Sequence, residues 1–590
     1  MFERFKKARA KYESDWKLNL AFYRNKQWTY ISRNGRLESL TTLESEMPRY
    51  RVRATVNQIT PGVQSMLAKL TKTKPIMTAT PQSGSPSDVK AAQLSEHLLE
   101  DWWVSKELGH KQEDAVLWAL LAGQGWWKIA WDPHAGIPMR FTLNPETGEP
   151  ITNDELIEMY KHQLEQMGLP REFSDVTTAL GDVHVEALSP FQVYLDDAAG
   201  TFENCKVAVC EHYLTPDEIK IRWNKDVKPD SVPFEPDQSL PTSLASEGTG
   251  GGASRSVKQV LFGYFVPTPR LPKGRYVVWC TDGEEGNTKD PRRDNILYDG
   301  SWPYPFNELP LVKFPGISVP GALYDDAIVT AAVPLQKVIN RTHSQIIEYK
   351  NITLRPQVWA PYGSVKEKVT NEPGAINQFQ PVMGMRPEVQ QPQPIPNYVF
   401  QMLEEAKMGL KELFGLTEVS EGSVPPNVEA GVAIDLLQEM SADRIAPQMR
   451  HIETALARAG KYMLTLAQKY YTEERTLRIH GSGGTSQVKK FKGADIASGI
   501  DVIAESGSGL PRTRAGRQAR IDAFVDRGVI QPHQAWKYYD LADMRSVAKK
   551  YAADEDQAFR EHEKINNGEP INAVAFEAAM QSVQQGINPD

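Results

Sequence analysis

Apolar residues recur at alternating steps of three and four along three stretches in the second half of the chain, the spacing of helices that pack through a narrow seam. The first stretch, about Tyr324 to Lys350, puts Leu335, Val338, Ile339, Thr342, Ile346 and Tyr349 on one face, and Pro334 is expected to kink it. The second, Asn397 to Phe414, carries Val399, Leu403, Ala406, Leu410 and Leu413 with charges elsewhere, and Gly415 stops it. The third begins near Glu429, bends at Pro447 and continues through Met449, Ile452, Leu456, Ala459, Met463, Leu466 and Tyr470. Between the first two, residues 351 to 396 contain Pro356, Pro361, Pro373, Pro381, Pro387, Pro392, Pro394 and Pro396, which no helix survives. At a rise of ~1.5 Å per residue the first helix is about 39 Å long and the second about 27 Å, enough to run out and back as an antiparallel pair with an extended module at the far end. The same periodicity suits three core helices of one globular domain, or helices standing side by side within or between copies.

Upstream, residues 2 to 23 read as an amphipathic helix, with Phe5, Ala8, Tyr12 and Trp16 on one side and Lys6, Lys7, Arg9 and Lys11 on a solvated face. Asn25-Lys-Gln-Trp28 ends it, and Trp28 to Ser32 reads as a short strand. Residues 51 to 59 alternate like a strand, followed by a helix to about Leu70 and an extended segment from Lys74 to Pro81. Helices over Asp88 to Leu108 and Gln112 to Ala122 lead to a strand, Gly125 to Asp132, in which Trp127, Ile129 and Trp131 share a face. Six of the 13 tryptophans fall between residues 102 and 131, and with only Lys106, Lys111 and Lys128 among them the cluster reads as core packing rather than base stacking. A polar insert occupies 134 to 180, with a helix over about Asn153 to Met167, and residues 225 to 256 form a Pro/Ser/Gly-rich linker. Strands are expected over Val183 to Val193, Lys206 to Tyr213, Val257 to Phe265 and Gly274 to Thr281, and Pro303 to Pro320 as an extended approach to the first long helix. Those over Thr476 to His480 and Asp501 to Ala504 are expected to return to the first domain's sheet, and Leu510 to Asp590 to be mostly helical.

Composition narrows the function. With 590 residues, 40% of them hydrophobic, the chain can bury several cores. Its three cysteines, Cys205, Cys210 and Cys280, fit a reducing compartment such as the cytoplasm. The charged N-terminus lacks the apolar core of a signal peptide, and no apolar run approaches the ~18 residues of a membrane span, so a soluble protein is expected. The net charge of −8 is the wrong sign for gripping nucleic acid, yet it suits a wall along which a polyanion slides. Cys205, Cys210 and His212, with Asp196 and Asp197 nearby, are the best metal candidate, but their spacing fits no common zinc pattern. The glycine-rich runs near 251 and 481 lack the Lys-Ser/Thr of a phosphate loop. The paired acids Asp196 and Asp197, and Asp325 and Asp326, permit a metal-dependent hydrolase or nuclease, although neighbours on a helix point about 100° apart and acids near a helix N-terminus are favoured anyway. No catalytic, cofactor or metal residue is therefore assigned.

The order of helix, proline-rich module, helix, short loop and kinked long helix resembles the stem, clip, tunnel loop and wing helix of the portal proteins of tailed bacteriophages. The residues carrying it are the Leu-Arg-Pro-Gln-Val run at 354 to 358, the stretch from Gly422 to Ile434, Gln27-Trp28, and the Asn57, helix, Pro75 succession. Portals of this type often have Ser-Gly where this chain has Ala430-Gly431, a departure that leaves the glycine in place. The resemblance implies an α+β chain: a wing over 1–320 with inserts near 134–180 and 225–256, stem helices over 321–350 and 397–414, and a clip over 351–396. It implies further a tunnel loop over 415–430, the long helix and returning wing over 431–509, and a crown over 510–590. The implied role is a ring, typically dodecameric, at one capsid vertex, assembled with major capsid and scaffolding proteins. Terminase large subunit and a head-completion or tail adaptor would dock on it, and double-stranded DNA would pass through. Tunnel-loop residues facing DNA would be Glu418, Glu421, Ser423, Pro425, Asn427 and Glu429, and the crown offers Arg512, Arg514, Arg517 and Arg520, which suit ordinary solvation or a subunit salt bridge as well as DNA. Another virion component, such as an adaptor, is the remaining alternative.

Overall fold

A computed structural model of the chain describes residues 1–33, 35, 37–39, 51–72, 75–81, 85–136, 138–143, 150–151, 175–228, 230–233, 254–280, 295–354, 358–365, 378–381, 384, 387–389, 393–416, 445–480, 486–496 and 501–505. Helix α1 (Phe2–Tyr23) leads to the hairpin of β1 (Thr29–Ile31) and β2 (Leu37–Ser39), then α2 (Ile59–Thr71) and β3 (Ile76–Thr80). Helices α3 (Pro86–Ser105) and α4 (Leu108–Ala122) precede the long strand β4 (Gln124–Asp132). A small sheet of β5 (Pro138–Leu143), β6 (Pro150–Ile151) and β7 (Asp175–Ala179) flanks the expected polar insert, whose helix lies outside the described residues. Next come β8 (Asp182–Leu188), β9 (Val193–Leu195), β10 (Val207–Leu214), the short helix α5 (Pro216–Trp223), β11 (Asp230–Pro233), β12 (Ser254–Phe265), β13 (Arg275–Cys280), β14 (Ile296–Gly300) and β15 (Leu311–Pro315). The long helix α6 (Ile328–Leu354) is followed by the two-residue strands β16 (Val358–Trp359) and β17 (Glu388–Val389), and by α7 (Asn397–Leu413). Helix α8 (Ala446–Tyr470), the hairpin β18 (Arg475–His480) and β19 (Ser486–Phe491), and β20 (Asp501–Glu505) complete the described chain.

The fold is thus mixed helix and strand, in two compact units. One comprises Met1–Pro425, Ser441–Glu473 and Gly493–Ser506; the other comprises Pro426–Met440, Glu474–Lys492 and Gly507–Asp590, of which the described part is the β18–β19 hairpin. That hairpin pairs Arg475 opposite Phe491 through to His480 opposite Ser486, so residues 476–480 do not return to the first sheet as expected. Strand β20 does return, lying antiparallel to β3 with Asp501 opposite Thr80.

In the larger unit β4 is the middle strand of the sheet β15-β4-β8, and it is covered on both faces. Trp127 and Trp131 point to the helices: Trp127 Nε1 donates to Lys111 O in α4 at 2.9 Å, and Trp131 stacks on Tyr470 of α8 at 4.9 Å. Trp126 points the other way, into a core shared with Val193, Ala208, Cys210 and Val260 of the second sheet, ordered β14-β13-β12-β10-β9. A strand sandwiched in this way loses the alternation of a half-exposed one, so Trp126 and Trp127 are both wholly buried. The tryptophan cluster is core, as its sparse interleaving with cations implied.

Local chemistry sets the element ends. Ser85 caps α3 by accepting from Asp88 N, and Thr215 and Glu218 form a capping box on α5. Gly123 ends α4 in the left-handed region at φ 79°, where a Cβ would stand 2.0 Å from the Asp325 carbonyl oxygen.

Helix α1 corrects one expectation. Arg9 is not solvated: it is 2% exposed, and its Nη1 donates to the carbonyls of Pro190, Phe191 and Val193 at 3.1, 2.9 and 3.0 Å. Its guanidinium also lies 3.7 Å from the centroid of the Tyr194 ring. Burial pushes the Glu13 carboxyl up, but Arg9 and Lys17 outweigh it and hold it below the usual range. A planar cation with five donors can satisfy a converging loop in a way that an apolar residue cannot.

Two measurements test this account. Arg9→Met, which keeps the stem's bulk but strips three buried carbonyls of their donor, should cost roughly 3 kcal/mol and lower the thermal unfolding midpoint; an unchanged midpoint would show that those carbonyls find water. Gly123→Ala, forced into a positive φ against a backbone oxygen, should cost at least ~2 kcal/mol by the same assay, while Gly200→Ala, at a positive φ with open space around it, should cost only the ~1 kcal/mol of the backbone conformation.

Candidate functional site

Helix α6 is rooted in the larger unit by several close approaches. Its start is preceded by a turn in which Ile317 and Asp326 exchange backbone hydrogen bonds at 2.9 and 3.0 Å, while Gly316 N donates to Gly123 O at 2.8 Å. Asn19, buried on α1, donates to Leu121 O and Thr330 Oγ1, both at 2.9 Å, which ties α1, α4 and α6 together. The helix begins at Ile328 rather than near Tyr324 and runs for 27 residues, about 40 Å at ~1.5 Å per residue, with Pro334 inside it.

The buried face of α6 is more polar than its apolar spacing implies. Gln336, Asn340, Ser344 and Glu348, each four residues after the last, face the extended segment 52–58 and satisfy its alternate amides. Val52 N donates to Glu348 Oε1 at 2.9 Å, Ala54 N to Ser344 Oγ at 3.0 Å, Val56 N to Asn340 Oδ1 at 3.1 Å and Gln58 N to Gln336 Oε1 at 3.0 Å. Gln336 Nε2 returns a bond to Val56 O at 2.7 Å, and Asn340 Nδ2 donates to Gln27 Oε1 at 2.6 Å. Two strand residues advance ~6.6 Å and four helix residues ~6.0 Å, so the two periods run together over this length. The segment therefore alternates like a strand yet pairs with helix side chains. Of the residues expected on the apolar face, Ile339 and Thr342 are buried, whereas Leu335, Val338, Ile346 and Tyr349 are half-buried.

Helix α7 runs back along α6. Tyr349 Oη donates to Gln393 O just before α7, and Gly409 sits against Leu335, so the two helices are antiparallel. The expected seam holds: Leu403, Ala406 and Leu410 are buried and Val399 and Leu413 half-buried. On the other sides Tyr398, Met402 and Met408 are 66%, 49% and 58% exposed, and toward the far end so are Leu354 at 67% and Tyr362, which is fully exposed. The end of α7 is fastened to α2. Phe414, 1% exposed, lies so close over Gly62 that a Cβ there would be 2.4 Å from its ring, and Lys69 Nζ donates to Gly415 O at 2.9 Å. Gly415 takes φ 63°, and the amides of Gly415 and Leu416 fold back to Glu412 O and Lys411 O. Helix α8 buries Met449, Ile452, Leu456, Ala459, Met463 and Leu466 as expected, with Tyr470 half-buried and Pro447 in its first turn; the expected start near Glu429 lies outside the described residues.

The candidates of the tunnel loop, Glu418, Glu421, Ser423, Pro425, Asn427 and Glu429, and the arginines Arg512, Arg514, Arg517 and Arg520 lie outside the described residues. Three of the four paired acids, Asp196, Asp197 and Asp325, are brought to cations. Arg4 of α1 holds both Asp196 and Asp197 at the surface. The Asp325 carboxylate, which precedes α6, is turned inward against Lys313 Nζ at 2.8 Å; burial raises its pKa and Lys313 opposes that rise. Both line a cavity of about 250 Å³ that His451 and Arg458 also border.

Cys205, Cys210 and His212 do not converge on a metal geometry. Cys205 Sγ meets Val207 O at 3.1 Å, Cys210 is wholly buried with its thiol pushed up to about 12 by desolvation, and His212 takes a bond from Lys128 Nζ to its Nε2 at 2.9 Å. Burial, reinforced by Lys128 and opposed by Glu186, pushes His212 down to about 3, so it is neutral in the sheet. Among the described residues no group of three or more His, Cys, Asp or Glu side chains is placed to hold a metal ion, and no described helix is long and apolar enough to cross a membrane.

The polar row on α6 and the Gly62–Phe414 notch are the features that apolar periodicity passed over. Their one legible signal was a Gln, Asn, Ser, Glu series at intervals of four, interleaved with the apolar face.

No curated protein matches the chain. Residues 292–575, a span that takes in α6, the module at its far end, α7, α8 and β18 to β20, match the family model described as phage P22-like portal protein. The paired long helices, rooted in a body of mixed helix and strand, fall within that match, which supports a phage portal protein.

Proposed function

We propose that copies of this chain form a ring, dodecameric by family resemblance, at one vertex of the capsid, and that double-stranded DNA passes through it during packaging and ejection. Helices α6 and α7 form the channel wall. The module over 351–396 docks the terminase large subunit and later a head-completion or tail adaptor, the 415–430 segment reaches toward the DNA, and the 510–590 region forms a crown. Ring assembly would proceed with major capsid and scaffolding proteins before the vertex is built into the virion.

The observation that carries this reading is the uncovered apolar surface of the helix pair, Tyr398, Met402 and Met408 on α7 with Leu354 and Tyr362 toward the far end. Large apolar side chains left in solvent along one helix favour burial against a protein partner, and neighbouring copies in a ring supply one. The net charge of −8 suits passage of a polyanion, because phosphates repelled by the wall do not stick. Of the paired acids, Asp196 and Asp197 face Arg4 and Asp325 faces Lys313, an arrangement that gives a carboxylate-based hydrolase no support.

Two experiments test it. Met402→Glu combined with Tyr398→Asp should leave a folded chain that no longer closes rings in negative-stain micrographs, and normal rings would move the interface elsewhere. Deleting Thr417 to Asn427 should leave rings intact while DNA packaging or retention falls; loss of rings instead would count against a channel-loop role for that segment.

A further inference from the structure

The ladder on α6 and the anchor at the end of α7 meet in one element. Helix α2 continues directly from the laddered segment, and its own N-terminus is fixed by Asn57, whose Oδ1 accepts from Ile59 N and Thr60 N at 3.0 and 3.2 Å. One turn later Gly62 receives the Phe414 ring, and two turns beyond that Lys69 holds the Gly415 carbonyl. The adjoining face of α2, through Ile59, Val63, Met66 and Leu70, is buried, so the helix has little freedom to move apart from its neighbours.

We infer that the row Gln336, Asn340, Ser344 and Glu348 on α6 positions, through α2, the point at which the chain leaves α7, making these side chains positioning residues for the segment that follows Leu416. Successive backbone amides of an extended chain point to opposite sides, so a slip of one residue along α6 would bring carbonyls against Asn340 Oδ1 and Ser344 Oγ in place of donors. The next permitted register lies two residues away, a shift of ~6–7 Å that the Phe414 notch cannot follow. The ladder consequently has one register compatible with the anchor, and the anchor has one seat compatible with the ladder. Coupling between the two is reciprocal: loosening either loosens the other.

Hydrogen exchange followed by mass spectrometry on the assembled full-length protein tests it. The amides of 52, 54, 56 and 58 report the ladder, and those of Phe414, Gly415 and Leu416, bonded to Leu410 O, Glu412 O and Lys411 O, report the anchor. Ser344→Ala removes one acceptor without weakening α6 as a helix. It should speed exchange roughly fivefold at both reporters, while strands β4 and β12 stay protected. Gly62→Ala should do the same from the other end, and Phe414→Leu reads the same coupling if the first substitution proves too disruptive. A rise confined to 52–58 in Ser344→Ala, or confined to 414–416 in both anchor variants, would overturn the inference.

Discussion

An extended chain with no neighbouring strand must still satisfy its amides, and here a helix does that work. Along residues 52 to 58 every second N–H finds a side-chain oxygen on α6. The segment is half-buried, and an amide left unpaired there would cost up to ~1–3 kcal/mol, which holds the segment to the helix. With the Asn19 bonds to Leu121 and Thr330, this interaction joins the N-terminal helical layer to the long helix, and it leads directly into α2. The alternatives for such a segment are another strand, which would cover the face that α7 needs, or solvent, which would leave α6 with a polar stripe and no reason to be buried. Gln27 extends the same network to the end of α1, so the residue that precedes Trp28 serves the helix root as much as the turn.

Around the root the backbone approaches more closely than side chains permit. Gly316 bonds to Gly123, and a Cβ on either would strike carbonyl oxygens of the opposite segment. The Lys313–Asp325 pair closes the turn beneath α6, with both side chains nearly out of solvent. A buried pair of this kind adds little net stability, yet loss of one partner strands the other's charge. Its effect is to fix the angle at which α6 leaves the body, which a hydrophobic contact alone would leave looser. The nearby neutral His212, held between Lys128 and Glu186, does comparable work inside the sheets without titrating near neutral pH.

Much of the helical framework was legible in the sequence, and for a physical reason. The α7 seam and the α8 stripe are apolar residues packing against apolar neighbours, and such burial leaves a period in the chain. The same logic identified β4 and its tryptophans. What periodicity could not show is burial through hydrogen bonds. Arg9 read as part of a wet face because a charge is usually solvated, and its three carbonyl acceptors come from a loop some 180 residues away. The α6 row failed to register for the same reason: Gln, Asn and Ser carry no hydrophobic signal. The strand at 476–480 pairs with 486–491 instead because two strands only five residues apart in the chain pair with each other before they seek a distant sheet. The expected acids at a helix start were displaced by the turn that precedes α6, where Asp325 pairs inward instead.

The helix pair is asymmetric in what it leaves uncovered, and in the proposed ring that asymmetry would bear on how copies meet. The polar row of α6 is satisfied within the chain, so it offers a neighbour neither donors in need of partners nor apolar area to remove from water. On α7 the balance is reversed: Leu403, Ala406 and Leu410 are already committed to α6, while Tyr398, Met402 and Met408 remain in solvent. Methionines fill irregular gaps and a tyrosine brings area with a polar tip, a combination suited to a surface that tolerates small adjustments of its partner. A ring built on that side would keep α6 registered to its own body while allowing α7 to accommodate the next copy. In such a ring the half of the helix pair laddered in cis would be the fixed one, and the half that leads, through Phe414 and Gly415, into the chain beyond would be the one that adjusts.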